Sequence, residues 1–298
     1  MTSAKRNKLL SGGVVSLLRY IILIGIAFVI LYPLFTKLTI AFMQKSDLYD
    51  SSVMYIPKHF TLSNIKISMK TIGYYGSLLK TTLMIGSNAA LQVLACMLTG
   101  YGFARFKIPF GKVLFGGVVL ILIVPIQTII VPLYLYFSKF GLINSPLPIY
   151  LFSATCMGMK NGLFIYLFRQ FFRGFPKELE EAGSIDGAGV FRVFRSIMAP
   201  SSISMTVTCF LFSFVWQWTD SYYNLVFMQN IELLPIQIQG LATRISSSSA
   251  MATGQVDLYY KSIINNVAIL LLVVPLVILY LFTQRFFVES FERSGIVG

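Results

Sequence analysis

Four stretches of this chain, residues 81–104, 113–138, 196–219 and 262–284, each run for 23 residues or more without a charged side chain. An α-helix rises 1.5 Å per residue, so about 20 such residues cross the hydrocarbon core of a bilayer. No other feature constrains the fold as tightly. Charged residues are only 12% of the 298 and apolar ones 56%, whereas a soluble domain carries about a quarter charged. There is too little polar surface to cover that many apolar runs in water. A disordered chain, a disulfide-stapled secreted domain and an ordinary cytosolic enzyme are excluded.

Two further runs are interrupted. Residues 21–36 lie between Arg19 and Lys37, whose long side chains can snorkel to the headgroups. Residues 140–159 meet Lys160 and resume over 161–168. The reading is an all-α polytopic membrane protein with six transmembrane helices. Of the 24 Lys and Arg, 14 fall in segments 1–19, 104–112, 169–200 and 285–298, and 8 in the intervening loops. By the excess of positive charge on the cytoplasmic side, both termini face the cytoplasm. The net charge of +13 follows from this bias and not from nucleic-acid binding, which asks for a basic patch on a soluble face.

Lys5, Arg6 and Lys8 ahead of an apolar run imitate a signal peptide, but the run continues through Tyr32-Pro33-Leu34 with no small-x-small cleavage site. An uncleaved first helix is expected. Cys96, Cys156 and Cys209 all fall within expected spans, which suits packing and not a disulfide framework. His59 is the single histidine and sits in an outside loop, so neither a metal site nor a catalytic cluster is expected.

The longest cytoplasmic segment is RQFFRGFPKELEEAGSIDGAGVFRVFRSIMAP, residues 169–200. Pro176 suits a helix start, and Glu178, Glu180 and Glu181 complement the dipole of a first turn. Phe175, Leu179, Ala182 and Ile185 form a narrow apolar stripe. Gly187 can take the positive φ that ends a helix, and a second short helix is expected over 190–198, closed by Pro200. The result is a docking surface with an apolar stripe and an acidic edge.

Glu181-Ala182-Gly183, then Ser184-Ile185-Asp186, then Gly187-Ala188, with Pro200 downstream, resembles the EAA loop of permease subunits of ATP-binding-cassette importers. Further segments resemble the carbohydrate-uptake, maltose-permease G-like branch. These are Tyr101-Gly102-Phe103-Ala104-Arg105-Phe106-Lys107, Pro125, Ile130-Val131-Pro132-Leu133-Tyr134 and Gly141-Leu142. Arg169-Gln170-Phe171-Phe172, Trp218-Thr219-Asp220 and the tail from Gln284-Arg285 to Gly298 are similar too. Gly183 replaces the second Ala of the motif and loosens a helix by up to about 1 kcal/mol. Ala199 stands where an aliphatic residue usually precedes the proline, and the tail lacks the Lys common near its end.

The resemblance implies a type I importer permease fold in the bacterial plasma membrane. It also implies a domain plan: residues 1–73 hold the first helix and an outside loop, 74–285 the transmembrane type-1 domain with its EAA loop at 175–200, and 286–298 a cytoplasmic tail. The implied partners are a second homologous permease, two cytoplasmic ATP-binding subunits and an extracytoplasmic solute-binding protein. The chain lacks G-x-x-x-x-G-K-[ST], so ATP and Mg belong to the partner ATPases. The implied ATPase-contacting residues are Glu178, Leu179, Glu181, Ala182, Gly183, Asp186, Gly187 and Ala188.

For the substrate, an ionisable group at membrane depth is a functional candidate by default. Lys37 is expected to snorkel. Lys160 meets either an anionic substrate group, such as a uronic carboxylate, or a structural partner such as Asp220 or a companion-permease carbonyl. A single cation without charged neighbours favours the second. Trp216, Trp218, Tyr222 and Tyr223 cluster near one helix end. Sugars stack on aromatic faces, so Trp216 and Trp218 join Lys160 and Asp220 as pathway candidates. Trp and Tyr also form interface belts, the favoured reading for most of them. Trp216 and Trp218, two apart, point to different faces, so at most one lines a pathway. Gly158 and Gly162 make a G-x-x-x-G, and Ser246 to Ser249 read as a flexible run. A secondary transporter or channel would want inverted repeats or more coupling charges. A membrane-embedded enzyme would want a cluster at one depth. Import of another solute class by the same machinery is the nearer alternative.

Overall fold

The computed structural model describes the backbone of residues 3–220, 222–253 and 258–295, and the side chains of 15–125, 127–220, 222–247 and 260–286. Helices dominate; among the described residues the one β feature is an isolated bridge between Met43 and Phe60. In chain order the helices are α1 (Ser3–Ala41), α2 (Ser63–Thr71), α3 (Tyr74–Arg105), α4 (Gly111–Ile123) and α5 (Ile126–Lys139). Then come α6 (Leu147–Ala154), α7 (Asn161–Gly174), α8 (Glu178–Ile185), α9 (Val190–Val193) and α10 (Ala199–Ser201). Last are α11 (Ile203–Thr219), α12 (Tyr222–Phe227), α13 (Leu234–Gln239), α14 (Leu241–Thr253) and α15 (Leu258–Gly295).

Three stretches are long and apolar enough to cross a membrane, Val15–Ala41, Tyr74–Arg105 and Tyr260–Phe286, and counting each of two bent helix pairs as one crossing makes five among the described residues. The six spans expected from the sequence are therefore not all straight rods. Run 113–138 is not one rod: α4 and α5 meet at 101°. The cause is Pro125, which lacks an N–H and pushes Val124 to extended backbone (φ −67°, ψ 120°). The expected fourth span is split into α6 and α7, because Cys156 (φ 59°) and Lys160 (φ 60°) adopt left-handed backbone that no helix continues through. Nor does Pro200 close the second loop helix. That helix runs through a π turn, Phe194–Met198, into α10, then bends by 75° into α11.

The chain divides into two compact units. In the first, Met1–Thr71 with Leu241–Leu271, the side chains of α1 from Val15 to Leu34 are exposed, as a lipid-facing helix requires. Ala41, Ile263 and Val267 form a small core. Lys37 does not simply snorkel: it is part-buried and its Nζ donates to Asn266 Oδ1 at 2.6 Å. His59 is not isolated either. Its backbone N–H donates to buried Asp47 (2.9 Å) and its ring Nδ1 lies 2.7 Å from the same carboxylate. Those bonds, the backbone one foremost, hold the Asp47 carboxyl below the usual range. Ser246 to Ser249 lie within α14 instead of a flexible run.

In the second unit, Ile72–Gly240 with Leu272–Gly298, α3 packs against α6, α7 and α11. Two glycines set the approach to α7. A methyl at Gly100 would lie 2.6 Å from Phe168 Cβ, and one at Gly162 would lie 2.5 Å from the Val118 carbonyl oxygen on α4. Gly162 of the G-x-x-x-G thus makes a close helix contact, whereas Gly158 lies in the break before α7. The core between these helices holds Phe164, Phe168, Phe172, Cys96, Met198 and Cys209.

Candidate functional site

Helix α8 begins at Glu178, two residues after Pro176, with Glu178, Glu180 and Glu181 in its first turn. Its other end is locked. Gly187 takes φ +78°, its N–H reaches the Ser184 carbonyl (3.1 Å) and the Ala188 N–H reaches the Gly183 carbonyl (3.0 Å). These are the paired bonds of a Schellman cap. Glu178, Leu179, Glu181, Ala182, Asp186 and Gly187 are exposed, while Gly183 and Ala188 are half-buried. Ile185 is 85% exposed and Phe191, just past α8, is 72% exposed. Large apolar side chains left in the open among carboxylates mark an interaction surface.

The inward side of α8 is equally specific. A methyl at Gly183 would lie 2.9 Å from Ile197 Cδ1 and 3.3 Å from Val193 Cγ2. The departure from the motif's second Ala is therefore a point where α8 lies close against the helix behind it, which its cost in helix propensity does not reveal. Glu180 also faces inward, its Oε1 2.5 Å from Arg105 Nε at the end of α3, and Arg105 Nη2 donates to the Phe175 carbonyl at 2.8 Å.

The expected pathway residues do not come together. Lys160 is exposed, in left-handed backbone at the start of α7, and makes no ion pair among the described residues. Asp220 is buried and caps α12: it accepts the Tyr222 N–H (3.2 Å) and the Asn224 N–H (3.1 Å). The interface-belt reading fails for Trp218 and Tyr223. Trp218 is fully buried, stacked on Phe214, with Nε1 donating to the Leu272 carbonyl (3.2 Å), and Tyr223 packs in a core with Phe152 and Phe227. Burial against neighbouring helices leaves neither side chain at an aqueous boundary. Trp216 is half-buried between Phe164 and Phe212, and Tyr222 is exposed.

A polar cluster that charge counting does not register sits deep in this unit. Gln92 Nε2 donates to the Met159 carbonyl (2.6 Å) and to Asn161 Oδ1, while its Oε1 accepts from Ser213 (2.5 Å) and Gln217 (2.8 Å). Asn88 donates to Gln217 Oε1 at 2.6 Å. Beside it lies a cavity of about 20 Å³, lined in part by Asn88, Gln217, Asp220 and Asn224, roughly room for one water. Amides leave a charge-free run unbroken. The legible signal is the i, i+4 spacing of Asn88 with Gln92 and of Ser213 with Gln217, which puts each pair on one helix face. The tail, by contrast, has its side chains from residue 287 on, and residues 296–298 altogether, outside the described residues.

Comparison with known proteins bears on this arrangement. The melibiose/raffinose/stachyose import permease protein MelC of Bacillus subtilis (strain 168) is 26% identical over 270 residues, covering 89% of this chain and 91% of that one. The sn-glycerol-3-phosphate transport system permease protein UgpE of Escherichia coli (strain K12) is 27% identical over 280 residues, covering 92% and 94%. Among solved structures, a bacterial ABC transporter involved in the import of the acidic polysaccharide alginate superposes with a TM-score of 0.77. It is 16% identical and covers 93% of this chain and 98% of its own, a likeness of fold. The family described as binding-protein-dependent transport system inner membrane component matches residues 92–293. With about two thirds of its length matched, the helical chain with its exposed, capped α8 belongs to that family of inner-membrane transport components.

Proposed function

We propose that this chain is the permease subunit of an ATP-driven, binding-protein-dependent importer that moves a sugar or oligosaccharide across the bacterial plasma membrane by alternating access. The observation that carries the reading is α8: a short helix, rigidly capped at Gly187, that leaves Leu179, Ile185 and Phe191 in the open beside Glu181 and Asp186. A partner must cover them. In the importer reading that partner is a cytoplasmic ATPase, one of two, which binds ATP and Mg. Closure of the ATPases pushes α8, and α8 moves the helices behind it between inward- and outward-facing arrangements. Glu181, Ala182, Asp186 and Gly187 make the contact.

Six crossings with both termini cytoplasmic place α8 on the ATPase side. The same assembly needs a second homologous permease to complete the pathway and an extracytoplasmic binding protein to supply affinity. The substrate class rests on relatives named for galactoside sugars and for sn-glycerol-3-phosphate, and on a structural neighbour named for alginate. Two of these three substrates are anionic, and Lys160, exposed at the start of α7, is a cation available for an anionic group. Within the same machinery a phosphorylated polyol is the alternative cargo.

The test is to tag this chain in its native membrane and identify what co-purifies by mass spectrometry. A second permease and an ATPase are expected. This chain alone, as a stable oligomer in mild detergent, would turn the reading toward a channel or secondary transporter.

A further inference from the structure

Three acidic residues open α8, and they do not do the same thing. Glu178 and Glu181 are exposed; Glu180 turns inward, its side chain only 18% exposed, and meets Arg105, whose side chain is 7% exposed. Arg105 is the last residue of α3. Its guanidinium reaches two elements at once: the Glu180 carboxylate in the first turn of α8, and the carbonyl of Phe175, the residue that follows α7. One planar fork thus ties the ends of α3, α7 and α8 together. One turn earlier on α3, Tyr101 packs edge-on against Phe172 and tilted against Phe194, so the end of α3 is itself held firmly.

We infer that Arg105 and Glu180 are positioning residues that carry the movement of α8 into α3, an inference that rests on the importer reading above. Among the described residues, two routes lead inward from α8. One is the apolar contact at Gly183 with Val193 and Ile197, which leads through α10 into α11. The other is this ion pair, which leads into α3. An ion pair withdrawn from water resists separation, since pulling it apart strands a buried charge. A push or pull on α8 therefore travels along α3, the helix that carries Asn88 and Gln92, and their amides bond to Gln217 on α11. Both routes converge on that amide cluster. Loss of the pair leaves the outward face of α8 able to dock but cuts one of the two connections behind it.

The experiment reconstitutes the tagged chain with its co-purifying permease, ATPases and binding protein in proteoliposomes. It measures ATP hydrolysis and uptake of labelled raffinose and of a labelled oligouronate in the same vesicles. In E180Q and R105M, uptake per ATP hydrolysed is expected to fall about tenfold, within the ordinary range of coupling between sites, with hydrolysis within about twofold of wild type. The double variant is expected to be no worse than the poorer single one, because the two side chains act as a unit. R105K keeps the charge but loses the fork; it is expected to fall between, and it decides the matter should R105M or E180Q fail to assemble. Unchanged uptake per ATP in these variants, including uptake and hydrolysis that fall in parallel, overturns the inference and leaves a pair that only stabilises. A wild-type complex that retains no ATPase, or moves neither of these probes nor labelled sn-glycerol-3-phosphate, defeats the importer reading itself and the inference with it.

Discussion

The α8 loop and the α3–α7–α11 packing behind it solve opposite problems with few residues. The loop leaves apolar side chains such as Ile185 and Phe191 in the open and fixes its backbone with a glycine cap. The helix packing takes polar side chains such as Gln92 and Asn161 out of solvent and hydrogen-bonds them to one another. The difference teaches where each kind of specificity is held. In the loop the critical property is backbone shape, since the exposed side chains await a partner. In the packing it is side-chain chemistry, since an unpaired amide there has at most one water to turn to.

Substitutions can break that contrast in either region. The largest effect is expected at Gly187. A β-branched residue resists φ near +78°, so Gly187→Val should abolish uptake while the chain still inserts and assembles, measured as transport against membrane abundance. Wild-type uptake in that variant would remove α8 from the coupling role. Next is Gln92→Leu, which strands the Ser213 hydroxyl, Asn161 Oδ1 and the Met159 carbonyl. Each stranded buried group costs about 1–3 kcal/mol, so the purified complex should melt several degrees lower, whereas the loop variant should not shift the melting point.

Gly183 sharpens the comparison, because its two roles predict opposite signs. Helix propensity alone makes Gly183→Ala stabilising by up to about 1 kcal/mol. The contact with Ile197 and Val193 makes it costly, and increasingly so with side-chain size. The expected result is near-normal uptake for Gly183→Ala and strong loss for Gly183→Leu; equal tolerance of both would show that α8 does not need this close approach.

Lys160→Met is expected to lower uptake of acidic oligosaccharides more than of neutral ones. Equal losses would make the lysine structural.

The smallest effect concerns acid. The depressed Asp47 carboxyl contributes stability that is fully present above its unfolded value of about 3.9 and lost as pH falls through the folded value. The protection factor of the His59 amide, its exchange relative to the intrinsic rate at each pH, should therefore stay flat through neutral and mildly acidic pH and drop only below about pH 4. Asp47→Asn should abolish that dependence.

Much of the docking loop was legible in the chain itself. The acidic first turn, the stop at Gly187 and the exposed apolar residues follow from local rules of helix dipole, capping and periodicity, which act over one or two turns. The inward partners of the same loop were not, since Arg105 and Glu180 lie 75 positions apart and nothing local marks which of three glutamates turns inward. The spans were legible as apolar runs but not as rods. Pro125 was visible as a helix breaker, whereas the left-handed residues Cys156 and Lys160 carry no such mark.

By itself, then, the sequence determined that this chain lives in a bilayer, that it is helical, and that one loop carries a capped helix with an exposed face. Hydropathy and capping decide these over short distances along the chain. Tertiary structure alone decided that Trp218 and Tyr223 are core, that Asp220 caps α12, that Gly100 and Gly162 let α7 pack closely against α3 and α4, and that uncharged amides meet in the middle of the helices. Those outcomes depend on which faces of distant helices meet, and side-chain chemistry sets the strength of such contacts without announcing their partners.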